Sequence, residues 1–322
     1  MTKIDLLSAY DNPIPWMAIV AIVILGYLLF RFSRNKATKI FVTTPIINSF
    51  SKDITELARK KQLDPVIGRE KEINHLIMVL SRRTKNNAVL IGDAGVGKTT
   101  IVEGLAHNVS EKNVPTSLFG KRVLMLDLNA LLAGTKYRGE FEERVRKLTD
   151  EISNSKRNII LFIDEIHNLI QAESSGESVS VGDIFKPAMA RGELQIIGAT
   201  TKEEYDRYFH ADLAFKRRMQ PIFVKEPNKK DTFEILKGIK SKYESFHDVR
   251  ISEKVIQTCI DQSEKMLPDR SFPDKAIDLM DEASSKARMG CINNDSKKCK
   301  LTPEVKTADV IQIAKEYREV KS

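Results

Sequence analysis

Ala88-Val89-Leu90-Ile91-Gly92-Asp93-Ala94-Gly95-Val96-Gly97-Lys98-Thr99 carries four apolar residues straight into the pattern G-x-x-x-x-G-K-T. A short apolar run, then glycines, then a helical stretch reads as a buried strand, a tight loop and a helix start. Glycines let the backbone curl until several N–H groups face one point, which is how phosphate oxygens are cradled. In that context Lys98 reaches the β- and γ-phosphates of ATP, and Thr99 offers its hydroxyl to Mg²⁺ at the positive end of the following helix. Gly92, Asp93, Ala94, Gly95, Val96, Gly97, Lys98, Thr99 and Thr100 are therefore the expected nucleotide-binding residues.

Outward from this loop, strands and helices alternate. Arg122 to Asp127 is a second strand, and Phe141, Val145, Leu148 and Ile152 stand at helical spacing. Ile159 to Ile163 is a third strand, apolar throughout, and it ends in Asp164-Glu165. Carboxylates at the end of a strand downstream of a phosphate loop form a Walker B pair. Asp164 is expected to hold Mg²⁺ and Glu165 to polarise the attacking water. Leu194 to Ala199 is a fourth strand, followed by Thr200-Thr201, and Ile222 to Val224 is a short fifth. Alternation of this kind implies a parallel sheet covered by helices on both faces. Beyond Asn228 only helical patterns follow, near 231–245, 252–265, 273–289 and 307–318.

The first fifty residues read differently. Residues 14–30, IPWMAIVAIVILGYLLF, contain no charge and carry Trp16 and Tyr27 near their ends. At about 1.5 Å per residue they span roughly 25 Å, slightly short of a hydrocarbon core of about 30 Å. Eight basic and two acidic residues lie between Arg31 and Lys61, so much of the net charge of +8 sits beside the apolar run. That placement predicts an uncleaved single-pass helix with its N-terminus outside, the body inside and an inner-membrane location. It also argues against a nucleic-acid partner, which would want a basic stripe on the folded body. Three cysteines without metal-like spacing, Cys259, Cys291 and Cys299, imply reduced thiols. No metal-type cluster of histidines is legible. The expected segments are a tail over 1–12, a membrane helix with basic flank over 13–36, a linker over 37–50, an α/β domain over 51–226 and a helical domain over 227–322.

Taken together these motifs resemble the Clp-type AAA+ unfoldases, specifically their first ATPase ring. Leu63-Asp64-Pro65-Val66-Ile67-Gly68-Arg69 resembles the family's lead-in, and Lys136-Tyr137-Arg138-Gly139 its central-pore loop. Lys186 to Gly192, Gly198-Ala199-Thr200-Thr201, Arg217-Arg218 and Phe272 to Asp278 also match. The resemblance implies an AAA+ P-loop domain with a five-stranded parallel sheet, followed by a helical lid. It implies that Val66 and Ile67 pack the adenine, with Ile235 of the lid as a further candidate. Thr201 becomes the γ-phosphate sensor, and Arg217 and Arg218 reach the neighbouring subunit's nucleotide in a ring, a hexamer. Lys136, Tyr137 and Arg138 grip a polypeptide in the axial channel. Several features depart from the family: no amino-terminal substrate domain, second ring, inserted coiled coil or peptidase-docking loop is legible, and Asp274-Lys275-Ala276 stands where a second sensor would place Gly-Ala-Arg.

The expected function is that of a membrane-anchored, ring-forming AAA+ ATPase that unfolds or remodels protein substrates or complexes. The alternative is a non-threading ATPase subunit docked on an envelope complex such as a secretion or conjugation system.

Overall fold

The structure is a computed structural model of the chain. It describes residues 23–26, 44–133, 138–171, 181–209, 216–294 and 302–319. The chain divides into two compact units, residues 1–43 and 44–322. In the first, residues 23–26 are helical. The rest of the apolar run at 14–30 lies outside the described residues.

The second unit opens on α1 (Pro45–Ser49), in the stretch expected to be a linker. Ile47 of α1 is fully buried, and its N–H donates to the Glu151 carboxylate at 2.7 Å. β1 (Ser51–Asp53) follows, then α2 (Ile54–Arg59). Asp53 caps α2 by accepting from the Glu56 N–H at 2.9 Å, which satisfies one of the free donors of the first turn. α3 (Glu70–Leu80) turns Ile73, Leu76, Ile77 and Leu80 inward. β2 (Asn87–Ile91), α4 (Lys98–Glu111), β3 (Arg122–Leu126), α5 (Leu128–Leu132), α6 (Arg138–Asn154) and β4 (Ile159–Ile163) come next. They are followed by α7 (His167–Gln171), α8 (Val181–Arg191), β5 (Gln195–Thr200), the short α9 (Lys202–Glu204) and β6 (Met219–Phe223).

The sheet order is β1-β3-β4-β5-β2-β6. β2 to β6 are parallel, and β1 pairs antiparallel to β3. The expected purely parallel five-stranded sheet is thus corrected to a mixed sheet of six strands. A three-residue strand is too short to show alternation, so its sequence carries no strand signal. Period-two geometry sends alternate residues to opposite faces. Along β4, Ile159, Leu161 and Ile163 join one core, while Ile160 and Phe162 join the other. A strand buried on both faces must be apolar throughout, as the Ile159–Ile163 run is. Pro221, which cannot donate to a ladder, sits on β6, an edge strand.

The remaining helices form the C-terminal lid: α10 (Lys229–His247), α11 (Glu253–Met266), α12 (Asp274–Asn294) and α13 (Thr307–Glu319). Leu236, Ile256, Ile260, Leu279, Met280 and Ile313 belong to a core of their own.

Among the described residues no helix is long and apolar enough to cross a membrane. Of the run at 14–30, on which the expected membrane helix falls, only 23–26 are among the described residues. The expected membrane helix therefore has no support.

Candidate nucleotide site

The C-terminal ends of β2, β4 and β5 gather the predicted chemistry at one sheet edge, where parallel folds bind ligands. The loop after β2 carries Gly95 and Gly97 at φ of 79° and 93°, left-handed values that glycine adopts without strain. Lys98 is 8% exposed, and its ammonium donates to the carbonyls of Gly92 at 2.8 Å and Asp93 at 3.0 Å. A buried ammonium held above its own loop is positioned to exchange those carbonyls for phosphate oxygens. Arg69 pins the loop from outside, donating to the Val96 carbonyl at 2.5 Å and pairing with Glu72 at 3.1 Å. Thr99 and Thr100 open α4 within this loop's reach.

Glu165 stands two residues past the end of β4 and holds φ at 48°, a strained value for a carboxylate residue. Its N–H donates to Asp164 Oδ1 at 3.0 Å. Burial first, then the Asp164 and Glu204 carboxylates, push the Glu165 pKa above the usual carboxylate range. His167 faces Glu165 at 3.3 Å through Nδ1 and Glu204 at 3.1 Å through Nε2. The same Nδ1 lies 3.2 Å from the Thr200 hydroxyl. Thr201 caps α9: its hydroxyl donates to Glu204 Oε2 at 2.8 Å and accepts from the Glu204 N–H at 3.3 Å. Burial works to raise the Glu204 pKa, but the Thr201 bonds, His167 and Thr200 together hold it below its ordinary value. Glu165 and Thr201 are thus joined through His167 and Glu204.

The ligand atoms of Glu165, His167 and Glu204 lie within 4.8 Å of one another, so a three-residue group exists where the sequence showed no metal-type cluster. Imidazole is a poor partner for Mg²⁺, so the trio is better read as a hydrogen-bonded frame. A cleft of about 590 Å³ opens beside it, lined by Asp164, Glu165, Asn168 and the ends of β1 and β3.

Of the adenine candidates, Ile67 reaches across to the lid. A Cβ on Gly238 of α10 would fall 1.8 Å from Ile67 Cδ1, so the bare glycine is what lets Ile67 seat its terminal methyl against α10 in this rotamer. Val66 packs on the large-domain core and Ile235 on the lid core. Lys242 ties the lid to the lead-in, donating to the Leu63 carbonyl at 3.1 Å and pairing with Asp64 at 3.2 Å. From α12, Asp274 presses on the phosphate loop: a Cβ on Gly95 would lie 2.7 Å from its Cβ.

Arg217 and Arg218 are not in this cluster. They directly precede β6, and β6 runs parallel to β2 with Met219 opposite Asn87 and Phe223 opposite Ile91. The pair therefore stands at the opposite sheet edge, one strand length away from this chain's own phosphate loop, roughly 16 Å at 3.3 Å per residue. Arg217 is exposed and Arg218 half-buried. Lys136 and Tyr137 lie outside the described residues, and Arg138 opens α6.

Residues 88–226 match the family model of the ATPase family associated with various cellular activities (AAA), and 228–321 match the AAA lid domain. Together they take in more than half of the chain. The chain belongs to the AAA ATPase family. It is 52% identical over 246 residues to the ATP-dependent Clp protease ATP-binding subunit ClpC of Staphylococcus saprophyticus, covering 76% of this chain and 30% of that protein. ClpC of Staphylococcus aureus matches at the same identity and coverage. Among solved structures, the Saccharomyces cerevisiae Hsp104:casein complex in its extended conformation aligns with a TM-score of 0.75 at 42% identity, covering 84% of this chain and 45% of that one. The S. cerevisiae Hsp104-ADP complex aligns with a TM-score of 0.74. The chain spans under a third of the length of the curated relatives it matches. These relatives are a Clp protease subunit and Hsp104, not an envelope apparatus. With no spanning helix among the described residues, they overturn the expected inner-membrane, single-pass placement.

Sequence reading missed His167, Glu204 and Gly238, and the contacts that Arg69 and Asp274 make with the loop. One signal was readable: Thr201-x-x-Glu204 has capping-box form. The others depend on contacts between residues distant in sequence.

Proposed function

We propose that this chain is a ring-forming ATPase that couples ATP hydrolysis to the unfolding or remodelling of protein substrates. The observation that carries the reading is the split of the site. The phosphate loop and carboxylates sit at one sheet edge and Arg217-Arg218 at the other. An arginine that cannot reach its own chain's phosphates can serve only a neighbour's, which calls for a closed ring of copies; six is the number the Clp resemblance implies.

In this reading Lys98 and the loop N–H groups hold the phosphates, and Thr99 and Asp164 hold Mg²⁺. The residues fit both ligands: the loop has its left-handed glycines and a buried lysine over it, and the hydroxyl and carboxylate are hard oxygen donors. Magnesium, when bound, neutralises charge on the phosphate oxygens. Glu165 accepts the proton of the attacking water. Its pKa, raised by burial and by the neighbouring Asp164 and Glu204 carboxylates, suits a general base because it strengthens the proton-transfer driving force. His167 and Glu204 aim Glu165 and link it to Thr201, the expected sensor. Val66, Ile67 and Ile235 enclose the adenine at the lid junction, so that nucleotide state moves the lid. Arg217 and Arg218 of one copy stabilise transition-state charge in the next. Tyr137, flanked by Lys136 and Arg138, grips polypeptide in the channel.

The test is unfolding of a fluorescent reporter protein by the full chain with ATP, comparing Tyr137→Phe and Tyr137→Ala. The expected result is unfolding that Phe retains and Ala loses. ATP turnover without unfolding in the unmodified chain would overturn the remodelling role.

A further inference from the structure

Four parallel strands begin side by side at the sheet edge opposite the phosphate loop. There, Lys121 directly before β3, Asn158 directly before β4 and Gln195 at the start of β5 line a pocket of about 260 Å³. Arg82, Lys156 and Arg157 complete its polar wall. The lining holds four cations and no carboxylate.

Lys121 is the centre of this arrangement. It is 7% exposed, and it donates to the Gln195 Oε1. Gln195 cannot turn to present its amide nitrogen instead, because Nε2 is already committed to the Leu80 carbonyl at 3.0 Å. An ammonium carries three donors, and the amide oxygen satisfies one. Burial, and then the charge of Arg157, hold the Lys121 pKa down to about 8. A buried cation beside other cations lacks a negative partner.

The backbone adds a second observation. Lys156 and Arg157 hold consecutive left-handed conformations, with φ of 54° and 65°. Two adjacent non-glycine residues in that region are costly, and such strain clusters at binding and switching sites. Arg157 also runs against Gly192, where a Cβ would meet its guanidinium nitrogen at 2.5 Å, and reaches the Arg191 carbonyl at 3.5 Å. Arg82 donates to the Gln220 side chain at 3.1 Å. Gln195, Gln220 and the Arg191 carbonyl, all neutral, anchor Lys121, Arg82 and Arg157 around the cavity, and outside its lining the Glu193 carboxylate feels the Arg157 charge.

We propose that this pocket binds a phosphate group, carried by inorganic phosphate or by a small phosphate monoester, at a site separate from the nucleotide site. Guanidinium forks and a point-charge lysine together recognise a compact dianion, and a single carboxylate supplies too little charge for four cations. The cavity is smaller than the usual range of about 300–1,000 Å³ for drug-sized ligands, which favours a small anion.

The experiment uses the full chain saturated with Mg²⁺ and a non-hydrolysable ATP analogue, so that every phosphate position of the nucleotide site is filled. Radiolabelled inorganic phosphate is then titrated by equilibrium dialysis. The expected result is one saturable phosphate per chain, weakened about tenfold or more by Lys121→Gln and by Arg157→Gln, as loss of a charge-assisted hydrogen bond predicts. Arg157 lies on an exposed turn, so its variant stays informative if the Lys121 variant fails to fold. Competition by glycerol 3-phosphate assigns the site to monoesters, and its failure to compete assigns the site to inorganic phosphate. Absence of saturation at millimolar phosphate, or an Arg157→Gln protein that binds as the unmodified chain does, overturns the proposal.

Discussion

The two ends of one parallel sheet carry opposite chemistry. At the C-terminal edge stand Asp164, Glu165 and Glu204, a phosphate loop, and Asp274 leaning in from the lid. At the N-terminal edge stand Arg82, Lys121, Lys156 and Arg157, with Arg217 and Arg218 just ahead of β6. In the proposed function the acidic edge receives a charged triphosphate and needs added cations, and Arg217-Arg218 stand at the far edge. The difference underlies the proposal that a single copy holds two half-sites at opposite sheet edges. In that proposal catalysis depends on apposition of copies.

Replacing both Arg217 and Arg218 with alanine sharpens the comparison most. Turnover, read as phosphate release, is expected to fall by about 10³-fold or more, the range of an arginine finger, with nucleotide affinity little changed. Unaltered turnover would remove the basic edge from the reaction. Glu165→Gln attacks the other edge, and a loss of about 10²–10⁴-fold is expected from removing a general base, with ATP still bound.

Lys121 tests whether the basic edge stores an electrostatic cost. In the unfolded chain its pKa is the usual 10.5, and in the folded chain it is about 8. Below pH 8 both states are charged and the folded state bears the full burial cost. Between pH 8 and 10.5 the folded chain sheds a proton that the unfolded chain keeps. The unfolded state then binds more protons, and stability rises with pH. Denaturant unfolding should therefore show the unmodified chain gaining about 2–3 kcal/mol on Lys121→Met across that window. A constant difference between the two would mean that the Lys121 ammonium stays charged in the folded chain across that window.

The smallest effect belongs to His167. His167→Asn removes the ring that bridges Glu165 and Glu204, and a loss of about tenfold in kcat is expected, with KM for ATP little changed. A change confined to KM would instead place His167 in nucleotide binding.

Much of this was legible in the residues. Periodicity alone exposed the strand at 159–163 and the helix carrying Val145, Leu148 and Ile152, because burial on both faces or on one stripe writes itself into apolar spacing. Gly95, Lys98, Asp164 and Glu165 announced themselves through local motifs. What stayed hidden required long-range contact. β1 has three residues and no pattern. His167 gains meaning only because β5 sets Thr200 and Glu204 beside it, and Gly238 only because Ile67 packs on it. The apolar run at 14–30 misled in the other direction: low charge and flanking basic residues gave a membrane signal that neither the described helices nor the relatives sustain.

The central claim is that each nucleotide is shared between two copies, and mixing tests it most directly. Glu165→Gln keeps the arginines and lacks the base; the Arg217→Ala, Arg218→Ala double variant keeps the base and lacks the arginines. Each is expected to be nearly inactive alone. Mixed in equal amounts before ring assembly, they should regain ATP hydrolysis well above either parent, because some junctions join an intact base to an intact arginine pair. A mixture no more active than its two components would contradict the account.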